Sequence, residues 1–286
     1  MVMLWNLLKI SRPVFWIIPL LSYCAGLFFG TSFSSLTQDP LLTTLIALQA
    51  ASFTFPFGLF GYGLNDYYDR EGDMYNQRKD VIDIDWDVVW YICIVSGFFL
   101  GFISFLLFIL YGKVWNFALV FMLGWIGFFY SYDKVRFKEV PLLAGVVNFV
   151  AYWVIPYCLG YLLFNDAMSF SLFSQVFGIG MMAFAVYNLA NVVDVESDRR
   201  AGYKTLPVRV GVVPSILVGF IVALAGFVLS FPETFLYKVV GVLSLIIFLS
   251  PLLFDDRSKG SYYADFLLGI VFLITGFHYI FFIALA

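Results

Sequence analysis

GYGLNDYYDREGDMYNQRKD, residues 61–80, places five carboxylates and three cations in twenty positions of a chain that is 62% apolar. It follows an apolar run over residues 41–64 and precedes another over 88–111. If those runs cross a bilayer, the stretch between them is a charged mouth at the membrane surface.

The remaining composition supports crossing. Only 12% of the 286 residues are charged and the mean hydropathy is +0.93, whereas soluble domains carry about 25% charged residues. A spanning helix needs about 20 mainly apolar residues. That rule predicts nine spans, at residues 13–31, 41–64, 88–111, 114–131, 141–163, 170–190, 212–231, 235–254 and 262–284. The expected fold is an all-α membrane protein, nine transmembrane helices in one bundle, with residues 1–286 forming one integral-membrane domain. Lys9 and Arg12 precede the first apolar run as in a secretory signal, but no small-x-small cleavage site closes it and eight more spans follow. Cys24, Cys93 and Cys158 fall inside spans without metal or disulfide spacing and read as small buried apolar residues.

Basic residues favour the cytoplasmic side. With a cytoplasmic N-terminus and the C-terminus outside, fourteen of the sixteen Lys and Arg fall on one side, leaving only Lys113 and Lys238 on the other. The carboxylates are equally uneven: eight of nineteen lie between Asp66 and Asp87, and Asp194, Glu196 and Asp198 form a second cluster. Both clusters fall at cytoplasmic ends of spans, after the second and sixth.

The first cluster reads Asn65-x-x-x-Asp69-x-x-x-Asp73 and the second Asp194-x-x-x-Asp198. Residues four apart share one helix face, with Cβ atoms about 5–6 Å from each other, so each aspartate pair repels itself unless cations intervene. The segments align at a constant offset of 125 residues (Asp66 with Asn191, Asp69 with Asp194, Glu71 with Glu196, Asp73 with Asp198). Two weakly repeated halves, with motifs at 65–80 and 191–205, are therefore expected to face a shared cavity. One such spacing would be a solvated loop; two on the same side point to a site. Carboxylates near membrane depth need compensation, from a divalent metal or from paired Arg and Lys. An all-oxygen ligand set completed by a substrate phosphate suits Mg²⁺. Arg78, Lys79, Lys134 and Lys204, beside the motifs, are candidate phosphate ligands; Arg199, Arg200, Arg257 and Lys259 need only the charge-sidedness rule.

The chain resembles the UbiA superfamily of intramembrane prenyltransferases. Asn65, Asp69 and Asp73 match that family's first aspartate-rich motif, Asp194 and Asp198 its second, and Tyr130 with Lys134 its Y-x-x-x-K element. Gly202, Lys204 and Thr205 in DRRAGYKTLPVRVG are also in place. NQRK (76–79) and YSYDKVRFKEVPLL (130–143) look more like the lycopene elongase branch than the quinone branch, although Asp133 and Lys134 stand where prolines would be, and Gln77 replaces another. The resemblance implies Mg²⁺-dependent prenyl transfer from an isoprenyl diphosphate to a hydrophobic acceptor, a carotenoid such as lycopene, with a quinone-precursor aromatic or a glycerolipid as alternatives. It further implies that Asp69, Asp73, Asp194 and Asp198 hold the metal, that Tyr130 belongs to the catalytic set, and that Asn65, Arg78, Lys79, Lys134 and Lys204 bind the diphosphate. No nucleic-acid partner is expected.

Two other classes compete, a cation-coupled transporter and a non-catalytic binder. Transport sites lie near the midplane, where these spans carry almost no charge. His278 is read as packed, and Arg12-Pro13 with Trp16 as a helix start at the interface. Asp80, Asp83, Asp85 and Asp87 fit neither motif and are read as solvating the third span.

Overall fold

The computed structural model describes residues 2–36, 38–76, 82, 84–230 and 235–285. Every regular element in it is helical. After a short α1 (Val2–Ile10) come seven helical runs long and apolar enough to cross a membrane: α2 (Pro13–Gly30), α3 (Pro40–Asp73), α4 (Trp86–Tyr111), α5 (Val114–Ser131), α6 (Leu143–Tyr161), α7 (Phe170–Val193) and, after two short helices, α10 (Val212–Ser230). The short pair are α8 (Val195–Ala201) and α9 (Leu206–Val210). The expected eighth span is α11 (Phe235–Leu249), 15 residues against the ~20 of a perpendicular crossing. The expected ninth lies in α12 (Arg257–Leu285), 29 residues whose first turns carry Arg257, Lys259 and Asp265. Among the described residues, seven of the nine expected spans meet both length and apolarity.

Local signals place the helix starts. Asp39 caps α3, its carboxylate accepting from the backbone N–H of Leu41 and Leu42 with Pro40 in the first turn, and Ser169 caps α7 through the N–H of Leu172. Asp85 caps α4, accepting from the N–H of Asp87 and Val88 at 3.1 and 3.2 Å. Asp85 and Asp87 therefore start a helix, where carboxylates complement the exposed N–H groups; Asp80 and Asp83 lie outside the described residues.

Aromatic side chains stand exposed along α4 (Tyr91, Phe98, Phe102, Phe105) and α5 (Trp115, Phe121, Trp125). So large an apolar surface suits contact with lipid rather than water.

In lipid, helices associate through close packing and hydrogen bonds rather than apolar burial. Gly26 on α2 and Gly160 on α6 bring two backbones together, since a Cβ on either would strike the Tyr157 or the Tyr23 carbonyl oxygen. Gly178 on α7 and Gly226 on α10 do the same, each Cα lying against the other's carbonyl. Between α2, α3, α4 and α5 a buried polar knot holds: the Gln49 amide donates to Ser104 Oγ (2.9 Å) and Asn116 Oδ1 (2.8 Å), and accepts from Asn116 Nδ2 (3.1 Å) and the Tyr23 hydroxyl (3.0 Å). The last helix, α12, packs on α2 and α7 and closes the bundle.

α3 and α6 each widen into a π-type turn, at Leu59–Gly63 and Val150–Val154. Such turns rotate the residues beyond them onto a new face. They bring the rings of Tyr62 and Tyr152 to 5.7 Å, directly before the segment that carries the first motif.

Candidate active site

The first motif sits on the last turns of α3, which stays helical from Phe55 through the π-type turn to Asp73. Asp69 is 6% exposed. Its Oδ1 receives Arg136 Nη2 at 2.8 Å, Lys138 Nζ at 2.6 Å and the Tyr203 hydroxyl at 3.1 Å. Lys138 also donates to Asn65 Oδ1 at 3.1 Å, so one ammonium ties two motif positions together. Burial of both partners gives the Asp69–Lys138 pair little solvent screening.

Arg136 reaches inward from the loop after α5 through a left-handed backbone turn, φ 43°. Its guanidinium lies 3.6 Å from Asp133 and 2.8 Å from Glu139 and stacks over the Tyr203 ring, 5.2 Å from its centroid. The loop thus holds the guanidinium in place before any ligand arrives.

The second motif straddles a break. α7 ends at Val193, Asp194 stands at the corner, and Asp198 lies on α8, which Gly202 closes at φ 76°. Asp198 Oδ2 accepts from Thr205 Oγ1 at 2.8 Å.

The two motif segments, more than a hundred residues apart in sequence, are bonded directly. Asn76 Nδ2 donates to Asp194 Oδ1 at 3.1 Å, and Tyr203 donates to Asp69. Gly72 makes the second contact possible, because a Cβ there would overlap the Tyr203 hydroxyl. Burial and then the neighbouring Asp69 carboxylate raise the Tyr203 pKa, so the hydroxyl stays a donor throughout the physiological range.

Arg12 is a correction to the sequence reading. It is more than a helix start: its Nη2 lies 2.6 Å from Asp66 and its guanidinium sits 4.8 Å from the centroid of Tyr62. Burial opposes its charge, but Asp66 foremost, then Tyr62 and Tyr152 and last Asp73, more than offset this and raise its pKa. Arg136, Lys138, Tyr203 and Asn76 were likewise absent from the expected set. Lys134, Arg136 and Lys138 stand close together in YSYDKVRFKEVPLL; which of them turns inward depends on the left-handed Arg136, which no sequence pattern marks.

Of the other expected residues, Asn65, Asp69, Asp73, Asp194 and Asp198 all belong to these joined segments. Tyr130 lies deeper in the bundle, accepting from Asn148 Nδ2 at 2.9 Å and sharing a hydrogen bond with Tyr187 at 2.9 Å. Lys134 and Lys204 are exposed and form no ion pair among the described residues. Arg78 and Lys79 lie outside the described residues. His278 is held by the Tyr237 hydroxyl at 2.9 Å, near the opposite end of α12 from the aspartates.

Among the described residues no three Asp, Glu, His or Cys side chains close around one point. The oxygens of Asp73, Asp194, Asp198 and Asn65 are hard donors without sulfur or imidazole. That set fits Mg²⁺, which takes one or two carboxylates, keeps several waters and fills its shell with substrate phosphate. Asp69 is already compensated by Arg136 and Lys138.

Residues 19–276 match the sequence model of the UbiA prenyltransferase family. Among characterised relatives, the lycopene elongase/hydratase of Haloarcula japonica is 28% identical over 217 residues, 73% of this chain and 68% of that protein. The lycopene elongase/hydratase of Corynebacterium glutamicum is 25% identical over 227 residues, 77% and 74% of the two chains. The structure of a UbiA homolog from Archaeoglobus fulgidus bound to GPP and Mg²⁺ superposes with a TM-score of 0.68 at 21% identity, covering 96% of this chain and 99% of that one. A structure reported for digeranylgeranylglyceryl phosphate synthase covers both chains fully, with a TM-score of 0.68 at 14% identity; at these identities the likeness is one of fold.

Proposed function

This chain belongs to the UbiA prenyltransferase family, and on that premise we propose that it transfers a prenyl group from an isoprenyl diphosphate to a linear polyene acceptor of the lycopene type within the bilayer. The observation that carries the reading is the pair of bonds joining the two aspartate motifs, Asn76–Asp194 and Tyr203–Asp69. The acceptor assignment rests on the relatives that bear the lycopene elongase/hydratase name. Residues 1–286 act as one unit, with the motif segments on the cytoplasmic face that the fourteen-to-two split of basic residues favours.

The diphosphate head lies between the motif segments. Arg136 and Lys138 donate to its oxygens, Asn65 orients Lys138, and Arg12 adds charge from the other side. Lys134 and Lys204 reach the head from the rim, and Arg78 and Lys79 are assigned to it by sequence position alone. Asp73, Asp194 and Asp198, with Asp69 alongside, would hold Mg²⁺, which would supply neutralisation of charge on the leaving group, an effect of several kcal/mol. The fixed cations act where charge accumulates as the allylic C–O bond breaks and its electron pair leaves with the diphosphate.

The allylic cation is exposed only to protein and lipid. Below the carboxylates stand the rings of Tyr62, Tyr130, Tyr152 and Tyr187; an aromatic face stabilises a cation by about 0.5–2 kcal/mol. A terminal double bond of the acceptor attacks, and the resulting tertiary cation either loses a proton to give an alkene or adds water and then loses a proton to give an alcohol.

The test is a transfer assay in lipid with dimethylallyl diphosphate, lycopene and Mg²⁺, read by pigment mass. A gain of one prenyl unit, lost on chelation and in Asp69→Ala and Asp194→Ala, supports the reading. Diphosphate release with no pigment gain, but with gain on a quinone precursor or a glycerolipid, moves the acceptor to that class.

A further inference from the structure

The two π-type turns, Leu59–Gly63 of α3 and Val150–Val154 of α6, each carry one tyrosine, Tyr62 and Tyr152. Turns of this kind are frequent at functional sites. Here they make the two hydroxyls hydrogen-bond partners. Gly61 leaves the room for this, because a Cβ there would lie 2.9 Å from the Tyr152 hydroxyl. Beyond Tyr62 the polar groups continue to the surface. The Arg12 guanidinium covers the Tyr62 ring and bonds Asp66, one turn further along α3. The Arg12 and Asp66 side chains are 31% and 14% exposed, so water meets them.

The offset of 125 residues that relates the two motifs also relates Tyr62 to Tyr187. Tyr187 likewise pairs with a tyrosine from another helix, Tyr130 on α5, at 2.9 Å. Tyr130 and Tyr152 lie within electrostatic reach of each other, so two tyrosine pairs stand side by side below the aspartates. They differ in where they lead. Tyr187 is bonded by the Asn191 amide and Tyr130 by the Asn148 amide. The position that matches Asn191 in the first half is Asp66. One pair is closed by two amides; the other opens towards a carboxylate, an arginine and water.

The proposed reaction leaves one proton to remove from the bundle. The double-bond electron pair of the acceptor makes the new C–C bond and leaves a tertiary cation. That cation is discharged when an adjacent C–H pair becomes a C=C bond, or when a water oxygen forms a C–O bond, and each route frees one proton. We infer that Tyr152 and Tyr62 carry that proton out. The Tyr152 oxygen accepts it as its own hydroxyl proton passes to Tyr62, whose proton passes to water at the Arg12–Asp66 mouth. Both phenols end the cycle neutral. The Asp66 carboxylate draws the proton outward by its charge, and Arg12 holds carboxylate and ring in register. An acceptor fixed in one place also selects which hydrogen the cation loses, as bulk water does not. The inference deepens the transfer reading above and rests on it.

The test uses the full chain in lipid nanodiscs with dimethylallyl diphosphate, lycopene and Mg²⁺, and compares wild type with Tyr152→Phe, Tyr62→Phe and Asp66→Asn. Two readouts are taken: prenylated pigment formed per diphosphate released, and the split of that pigment among alkene isomers and alcohol. Both are ratios, independent of the fraction of each variant that is folded. Wild type is expected to give one dominant product. Tyr152→Phe and Tyr62→Phe keep the rings, and are expected to lower pigment per diphosphate about a hundredfold, the low end for a positioned proton acceptor. The pigment that still forms should scatter among isomers. Asp66→Asn should shift both readouts in the same direction, less far. Wild-type yield and product split in Tyr152→Phe overturn the outlet and leave the tyrosines a packing role. An equal loss in Tyr187→Phe overturns its assignment to the first pair. If wild type prenylates a quinone precursor but not lycopene, the acceptor reading fails alone, and yield per diphosphate on that product still decides the outlet.

Discussion

Asp69 is a buried carboxylate shared by two cations, and removing it leaves Arg136 and Lys138 facing each other. Asp69→Ala is therefore expected to lose about 3–5 kcal/mol of stability as well as activity, and thermal unfolding of purified protein checks it. In the double variant Asp69→Asn/Lys138→Met part of that loss should return, with a coupling of about 1–3 kcal/mol. A second residue-scale expectation concerns Gly72, whose absent side chain admits Tyr203. Gly72→Ala should cost about 1–3 kcal/mol by crowding, and less in a Tyr203→Phe background; equal costs in the two backgrounds would show that the hydroxyl is not what the glycine accommodates. At this scale the sequence was half legible. Asn65, Asp69 and Asp73 announce themselves by spacing on one helix face, Asp194 and Asp198 by the same spacing across a helix break. Arg12 and Lys138 do not, because basic residues are expected on that side whatever they touch.

Helix starts and crossings follow local rules. Asp39 caps α3 and accepts the Tyr111 hydroxyl at 2.9 Å, tying the start of α3 to the end of α4. The hydrogen bond from Leu42 N–H, then that from Tyr111, hold its carboxyl below the usual range. A lowered folded pKa gives stability that is present above about pH 4 and lost as pH falls through the folded value. The thermal-midpoint difference between wild type and Asp39→Asn should accordingly shrink towards acid. Gln49→Leu strips the buried knot of its centre and should cost about 1–3 kcal/mol through the partners left unsatisfied, seen as a lower midpoint in detergent. Hydropathy marked seven helical runs correctly. The continuation of α3 from oil into acidic sequence was hidden from it, because apolarity fades at Gly61 while the backbone hydrogen bonding does not. The widened turns at Leu59–Gly63 and Val150–Val154 left no mark either, for a π-type turn changes backbone phase without demanding a residue type.

At the scale of the whole molecule, charge gathers at one end and empty space, a cavity of about 600 Å³, at the other. Only the charge was written in the sequence, since a cavity is what several helices fail to fill together. The cation-bound Asp69 carries a consequence for the order of events. An incoming pyrophosphate anion competes for Arg136 and Lys138, and drawing them off uncovers a carboxylate for divalent metal. Metal and anion should then assist each other's entry by equal factors, as thermodynamic reciprocity demands. Calorimetric titration of Mg²⁺ into the protein should yield weak heat alone and tighter uptake once inorganic pyrophosphate is present. The Arg136→Ala variant, with that guard halved, should narrow the gap.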